Sequence, residues 1–298
     1  MNKLISIVYS FRNEESLLGE LIERTVKAMD DYEFEIIFVN DDSTDKSLEV
    51  IQSFSKKDSR IKILNMSGRF GQIPCLIAGL RSASGEAVLY CDSDLQDPPE
   101  LFPKMIKEWE EGAFVVNMMR SKRNGENPIK MLLTKLAYKA WNKCSKIKIQ
   151  VEVGDFKLVD KKVLTELCKI KEEDPFLRGY VQWLGYKQVN LAYDREARHS
   201  GETHFPFWGG DPIETFFIGL TSFSITPLYL PLIFMLIPLI ALVIYLFSVS
   251  SISPWVVGIF IMFFLNFLSL LIIGVYVGRI HLQSRKRPLY NIESTENL

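Results

Sequence analysis

The run Val88-Leu89-Tyr90-Cys91-Asp92-Ser93-Asp94-Leu95-Gln96-Asp97-Pro98-Pro99 passes abruptly from apolar residues to spaced carboxylates and a double proline. It reads as a buried strand delivering acids to one point, because side chains two apart on an extended segment face the same way. Asp92 and Asp94 can therefore converge on one divalent cation, and hard oxygen donors suit magnesium or manganese. Such ions keep part of their shell for substrate phosphates, so the expected ligand carries a diphosphate. The alternative is an acidic loop without a ligand, since a bare D-x-D motif recurs by chance.

A second feature lies far away in sequence. No charged residue occurs between Glu214 and Arg279, enough for two bilayer crossings at roughly 20 residues each. The expected membrane helices are 225–247 and 254–278; the first would reach about 35 Å against roughly 30 Å of hydrocarbon. Their connector, 248–253, is uncharged, whereas Arg279, His281, Arg285, Lys286 and Arg287 follow the second helix. The positive-inside rule then puts both ends in the cytoplasm. Pro227, Pro231 and Pro238 are tolerable in a membrane helix whose neighbours satisfy the freed carbonyls. Asn266 reads as interhelical glue, with a transport role as the alternative.

The elements that must carry Asp92 and Asp94 follow from periodicity. Strands are predicted at 4–9, 35–40, 61–65, 87–91 and 114–119, with helices at 16–29, 45–56, 72–83 and 101–111 between them. This order implies an α/β domain with a largely parallel sheet covered on both faces. Ligands in such sheets sit beyond the carboxyl ends of the strands. Three of those ends are polar: 10–15, 41–45 and 92–94 should line one crevice. Ser43, Thr44 and Asp45 can equally serve as helix caps; Asp41 precedes the cap and is the better ligand candidate.

Composition bounds the rest. The first 210 residues form one domain with a real core, followed by an interfacial segment at 211–224, the two spans within 225–279 and a basic cytosolic tail at 280–298. Phe216, Phe217, Leu220 and Phe223 recur at helical spacing in that interfacial segment, flanked by Phe207 and Trp208 as membrane-surface anchors. A formal net charge of −1 argues against a nucleic-acid partner. Cys75, Cys91, Cys144 and Cys168 are widely separated, so neither zinc nor a disulfide framework is expected. The strand pattern begins at once, so no signal peptide is expected and insertion would rely on the hairpin.

Further markers accompany the acidic run: Asn13-Glu14-Glu15, Val39-Asn40-Asp41-Asp42-Ser43-Thr44-Asp45, Gly79-Leu80, Gly154-Asp155-Phe156-Lys157-Leu158, Phe176-Leu177-Arg178-Gly179, Arg198-His199-Ser200-Gly201-Glu202 and Ser222-Phe223-Ser224. With these the chain resembles, over nearly its whole length, the family 2 glycosyltransferases of the GT-A (Rossmann-like) fold, specifically the membrane-anchored polyprenyl-phosphate glycosyltransferases. The resemblance implies that Ser10, Glu14, Asp41 and Asp92 contact a sugar nucleotide, UDP-hexose being favoured. It implies that Asp92, Asp94 and Gln96 hold Mg2+ or Mn2+ with the diphosphate. Arg120, Lys130, Thr134 and Arg198 would grip the phosphate of a polyprenyl acceptor, undecaprenyl phosphate by that resemblance. For Lys130 a solvated helix residue is the alternative. Asp155 would orient the sugar or help set the acceptor.

The chain also departs from that family's pattern. Ser10 stands where proline is usual, Asp42 where glycine is, and Arg69 and Gln72 replace asparagine and lysine or histidine. Thr203-His204-Phe205 replaces a serine-lysine-tyrosine run, with His204 as a substitute cation or a plain surface residue. These changes bear on sugar and base preference and leave the metal residues intact. The implied reaction is inverting attack by a dianionic phosphate, already a nucleophile near neutral pH because its second pKa is about 6. The implied location is the plasma membrane, multi-pass, with a homo-oligomer as the associated state. A transferase with another lipid acceptor, a flippase component and a non-catalytic sugar-nucleotide scaffold stay open on the residues alone.

Overall fold

The structure, a computed structural model, describes residues 3–121, 142–143, 145, 147–148, 153–173, 175–194, 218–231, 233–234, 236, 240 and 253–298. The chain alternates β1 (Ile5–Phe11), α1 (Leu18–Ala28), β2 (Phe34–Asn40), α2 (Ser47–Ser55), β3 (Ile61–Met66), α3 (Gln72–Ser82) and β4 (Ala87–Asp92). After a 3-10 turn at Pro99–Leu101 come α4 (Phe102–Glu110) and β5 (Val115–Arg120). All these strands and helices match the periodicity, with bounds within two residues of those expected. Beyond them lie β6 (Val153–Asp160), α5 (Lys161–Leu167), α6 (Leu177–Trp183), β7 (Gln188–Tyr193), α7 (Ser253–Arg285) and β8 (Ile292–Glu296).

One eight-stranded sheet has the order β7-β5-β6-β4-β1-β2-β3-β8. β1 pairs in parallel with β2 and β4, β2 with β3, and β5 with β7. β6 lies antiparallel between β4 and β5, and β8 antiparallel on β3. Six strands therefore point one way, and their carboxyl ends share one edge of the sheet. The central strands are near-continuous apolar runs because both faces are covered. Ile5, Ile7, Tyr9 and Phe11 of β1 pack with α1, α2 and α4, while Val8 faces the layer of α3, α5 and α6. Gly79 lets α3 lie close on the sheet: a Cβ there would stand 2.4 Å from Val8 Cγ1.

α7 is 33 residues long, or about 50 Å at 1.5 Å per residue. Its stretch Ile261–Ser284 is long and apolar enough to cross a membrane, with Phe263, Phe264, Phe267, Leu270 and Leu271 exposed. It continues past the expected end at 278 because its last turns have protein partners. Gln283 Nε2 donates to Lys171 O at 3.1 Å, and Glu173 N donates to Gln283 Oε1 at 3.1 Å. Residues 218–223 are helical, and Arg279 grips that stretch. Its guanidinium donates to Ile218 O, Thr221 Oγ1 and Ser222 Oγ, while Tyr276 Oη donates to Ser224 O at 2.6 Å. The rest of the expected interfacial segment, with Phe207, Trp208, Phe216 and Phe217, lies outside the described residues. Of the expected span 225–247, a 3-10 turn at Thr226–Tyr229 and helical residues at 230–231, 233–234, 236 and 240 are described.

The segment after α7 returns to the sheet. Arg81 stacks on the Tyr290 ring at 5.7 Å, Ser67 N donates to Asn291 O at 3.0 Å, and β8 then covers the outer edge of β3. Asn297 Nδ2 closes the edge with bonds of 3.0 Å to Ser55 O and 3.0 Å to Ile61 O. Residues expected as a basic tail thus include a structural strand.

Candidate active site

The loops at the carboxyl ends of β1, β2 and β4 meet as the topology requires. Ser10 is level with Asp92, and Phe11 with Asn40. Each loop turns on a left-handed residue: Asn13 (φ 54°), Asp42 (φ 53°) and Leu95 (φ 58°). Asn and Asp adopt that region readily. Leu95 does not; its strain costs about 1–3 kcal/mol, and its fully buried side chain in the α1/α2/α4 core helps hold it there. The result is a sharp bend between Asp94 and Gln96, closed by Gln96 N donating to Asp94 Oδ1 at 3.1 Å.

The β1 and β2 loops are joined residue by residue. Thr44 N donates to Asn13 Oδ1 at 2.8 Å, Glu14 N to Ser47 Oγ at 2.8 Å and Lys46 N to Glu15 Oε2 at 2.9 Å. Ser43 and Thr44 bind Asn13 rather than capping α2. Asp45 Oδ1 accepts from Ser47 N at 3.0 Å from one residue before the N-cap Lys46, which itself makes no side-chain cap. Burial raises the Asp45 carboxyl, but the Ser47 hydrogen bonds outweigh that and hold it below its ordinary value. Arg12 donates to the carbonyls of Asp41 and Asp42. The Asp41 carboxylate accepts from Phe70 N at 2.7 Å and Gly71 N at 3.1 Å, pinning the loop between β3 and α3. Asp41 thus has part of its accepting capacity already used.

Asp92 ends β4, and Gln72 Nε2, from the start of α3, donates to its Oδ1. That bond gives Gln72 a definite role at the position where the sequence departs from the family pattern. Among the described residues no three His, Cys, Asp or Glu side chains form a metal-holding group. Asp92 and Asp94 flank the one-residue spacer Ser93 at the strand end, and Gln96 follows the bend. This oxygen-only set fits a hard cation that takes its remaining ligands from a diphosphate and water.

Arg120 closes β5 beside this acidic loop. Its Nε is buried without a hydrogen-bond partner, a condition that costs about 1–3 kcal/mol in a folded protein. Burial pulls its guanidinium down, yet the Tyr193 hydroxyl and the charges of Asp97 and Asp92 keep it above its ordinary value. Tyr193 Oη in turn donates to the buried Asp97.

Asp155 faces this region from β6. The β4/β6 register pairs Tyr90 with Lys157, so two steps further Asp155 comes level with Asp92. Arg178 of α6 holds both Asp155 oxygens, its Nε donating at 2.9 Å to each and Nη2 adding a bond to Oδ2. Burial raises the Asp155 carboxyl, but Arg178, then Lys157 and Arg120, drive it below its ordinary value. Lys157 is fully enclosed, with Nζ donating to Asn117 Oδ1 at 2.8 Å, and burial pulls its ammonium down to about 7. Tyr90 Oη nearby is buried without a hydrogen-bond partner.

The structure therefore gathers Ser10, Glu14, Asp41, Asp92, Asp94, Gln96, Arg120 and Asp155 at one edge of the sheet. Lys130, Thr134, Arg198 and His204 lie outside the described residues. Gln72, Asp97, Tyr193, Lys157 and Arg178 gain definite positions to which sequence reasoning assigned no role. For Arg178 and Lys157 the motifs around them were the available signal.

Comparison with known proteins adds four findings. The model of glycosyl transferase family 2 matches residues 6–168. The uncharacterized glycosyltransferase YkcC of Bacillus subtilis (strain 168) is 38% identical, over 97% of this chain and 93% of that protein. The bactoprenol glucosyl transferase of Shigella phage SfX is 32% identical, over 97% of this chain and 99% of that protein. Among solved structures, mannosyl-3-phosphoglycerate synthase from Rubrobacter xylanophilus is 16% identical with a TM-score of 0.51, over 72% of this chain and 71% of that one, a likeness of fold alone.

Proposed function

The chain belongs to glycosyl transferase family 2 and is a glycosyltransferase, and from that premise we infer that it moves a hexose from a nucleotide-diphosphate sugar, UDP-glucose foremost, to undecaprenyl phosphate. The observation that carries the reading is end-to-end similarity to a relative named for glucosyl transfer to bactoprenol. Ser10, Glu14 and Asp41 would line the nucleotide side of the crevice, and Asp92, Asp94 and Gln96 would hold Mg2+ or Mn2+. When bound, the cation neutralises diphosphate charge as it departs.

The acceptor phosphate needs no strong base, because it is already largely dianionic. What it needs is a counter-charge in a dry site. The buried, unpartnered Nε of Arg120 supports that role; Lys130, Thr134 and Arg198 complete it in this reading. Asp155, ionised by its pairing with Arg178, orients the sugar or the acceptor. Attack on the anomeric carbon from the face opposite the diphosphate inverts the centre.

The lipid tail stays in the bilayer, so the crevice must sit at its surface. β8 lies in the same sheet as β1, and residues 218–224 contact Tyr276 and Arg279. These contacts support a reading in which the chain between 224 and 276 leaves and returns to one side, with an even number of crossings. With α7 as one, residues 225–252 supply the other. Arg279, Arg285, Lys286 and Arg287 favour the cytoplasm for that side.

The test is to incubate the full chain in vesicles with undecaprenyl phosphate, Mg2+ or Mn2+ and labelled UDP-, GDP- or dTDP-sugars. Label entering the lipid fraction from UDP-glucose is expected. Binding or hydrolysis of every donor without lipid labelling would overturn the reading.

A further inference from the structure

We infer that Arg178 is the positioning residue for Asp155, and that Gly179 beside it ties this pair to the membrane-side helical residues 218–223. The inference deepens the function proposed above and rests on the role given there to Asp155. A planar guanidinium that donates to both oxygens leaves a carboxylate one orientation, which a lysine ammonium cannot impose. The fork of Arg178 therefore sets the direction in which Asp155 presents its remaining lone pairs.

α6 spans only Leu177–Trp183, so its placement depends on what packs against it. At Gly179 a Cβ would stand 2.3 Å from Phe223 Cε2 and 2.7 Å from Phe176 Cδ1. The rings of Tyr180 and Phe223 meet edge to face, with centroids 5.6 Å apart. Phe223 belongs to the stretch that Arg279 and Tyr276 bind to α7. A continuous path thus leads from α7 through Phe223 and Gly179 to Arg178 and Asp155. A side chain at position 179 would push α6 off Phe223 and turn the guanidinium with it.

The full chain in vesicles, with UDP-glucose and undecaprenyl phosphate, tests both links. Misplacement of a reacting group by about 1 Å can cost on the order of 100-fold in rate. Arg178→Lys should lower kcat by about 10- to 100-fold with the KM for UDP-glucose unchanged. Gly179→Ala should lower kcat similarly, with UDP affinity intact. Adding Phe223→Leu, which removes the Cε2 closest to the new methyl while Phe176 Cδ1 stays 2.7 Å away, should recover part of the loss, whereas Phe223→Leu alone should be mild. Wild-type kcat in Arg178→Lys, or a change confined to KM, overturns the positioning role. Failure of Phe223→Leu to rescue Gly179→Ala overturns the tie. Asp155→Asn separates the two layers: impaired Asp155→Asn beside normal Arg178→Lys sinks this inference only, and unimpaired Asp155→Asn sinks the role of Asp155 itself.

Discussion

Asp94 and Asp92 have distinct surroundings despite their symmetry in sequence. Asp92 receives Gln72, while Asp94 receives the amide of Gln96 across the strained Leu95 bend. Both should be needed for the cation, whose charge neutralisation is worth several kcal/mol, and about 1.4 kcal/mol is tenfold in rate. Asp94→Asn should reduce lipid glycosylation on the order of 100-fold, and chelation of the wild type should do the same reversibly; the assay is labelled-sugar transfer with metal add-back. Lys157 makes a different prediction. Burial depresses its ammonium to about 7 in the folded state from the ordinary 10.5, so between these values the unfolded chain binds more protons. Folding stability should therefore rise with pH across that window and level off at its lower value once pH falls below about 7. Denaturant titrations from pH 7 to 10 should show that slope, and Lys157→Met should flatten it. The place of Asp92 at a strand end could be seen in the sequence because an unbroken apolar run stops there. The Arg178 fork could not, since its partner lies in another element.

Element by element, the first half of the sheet follows its hydrophobic pattern because parallel strands buried on both faces leave unbroken apolar runs. β6 escapes that logic: Val153–Asp160 carries Asp155 and Lys157 in a strand that is buried almost throughout. The charges are tolerated because they meet Arg178 and Asn117, which no local periodicity reports. β8 escapes it too, as the polar Ile292–Glu296 packs as an edge strand. α5 begins at Asp160, which caps Lys162 N at 2.8 Å and accepts from Trp109 Nε1 at 2.8 Å. Asp160→Ala should lower stability by about 1–2 kcal/mol through the lost cap, with some addition from the stranded indole. A shift in the denaturant midpoint at unchanged slope would measure it, and no shift would show that the cap is idle.

On the scale of the whole molecule, the two crossings proposed above make a topological forecast. In intact cells, a membrane-impermeant maleimide should label Ser250→Cys in the uncharged connector and leave Ser294→Cys in β8 unlabelled until the membrane is opened. Reversed labelling, or labelling of both, would overturn the arrangement. The apolar stretch of α7 was legible from the absence of charge between Glu214 and Arg279. The clasp of Arg279 on residues 218–222 was not, because a charge next to an apolar run reads only as a boundary.

β8 also has a bearing on biogenesis. A ribosome makes it after α7, so β3 must wait with a bare edge while the 33-residue apolar helix is made. Completion of the sheet then becomes a late event that follows the making of α7, and a chain stalled before residue 291 would offer that edge to chaperones and proteases.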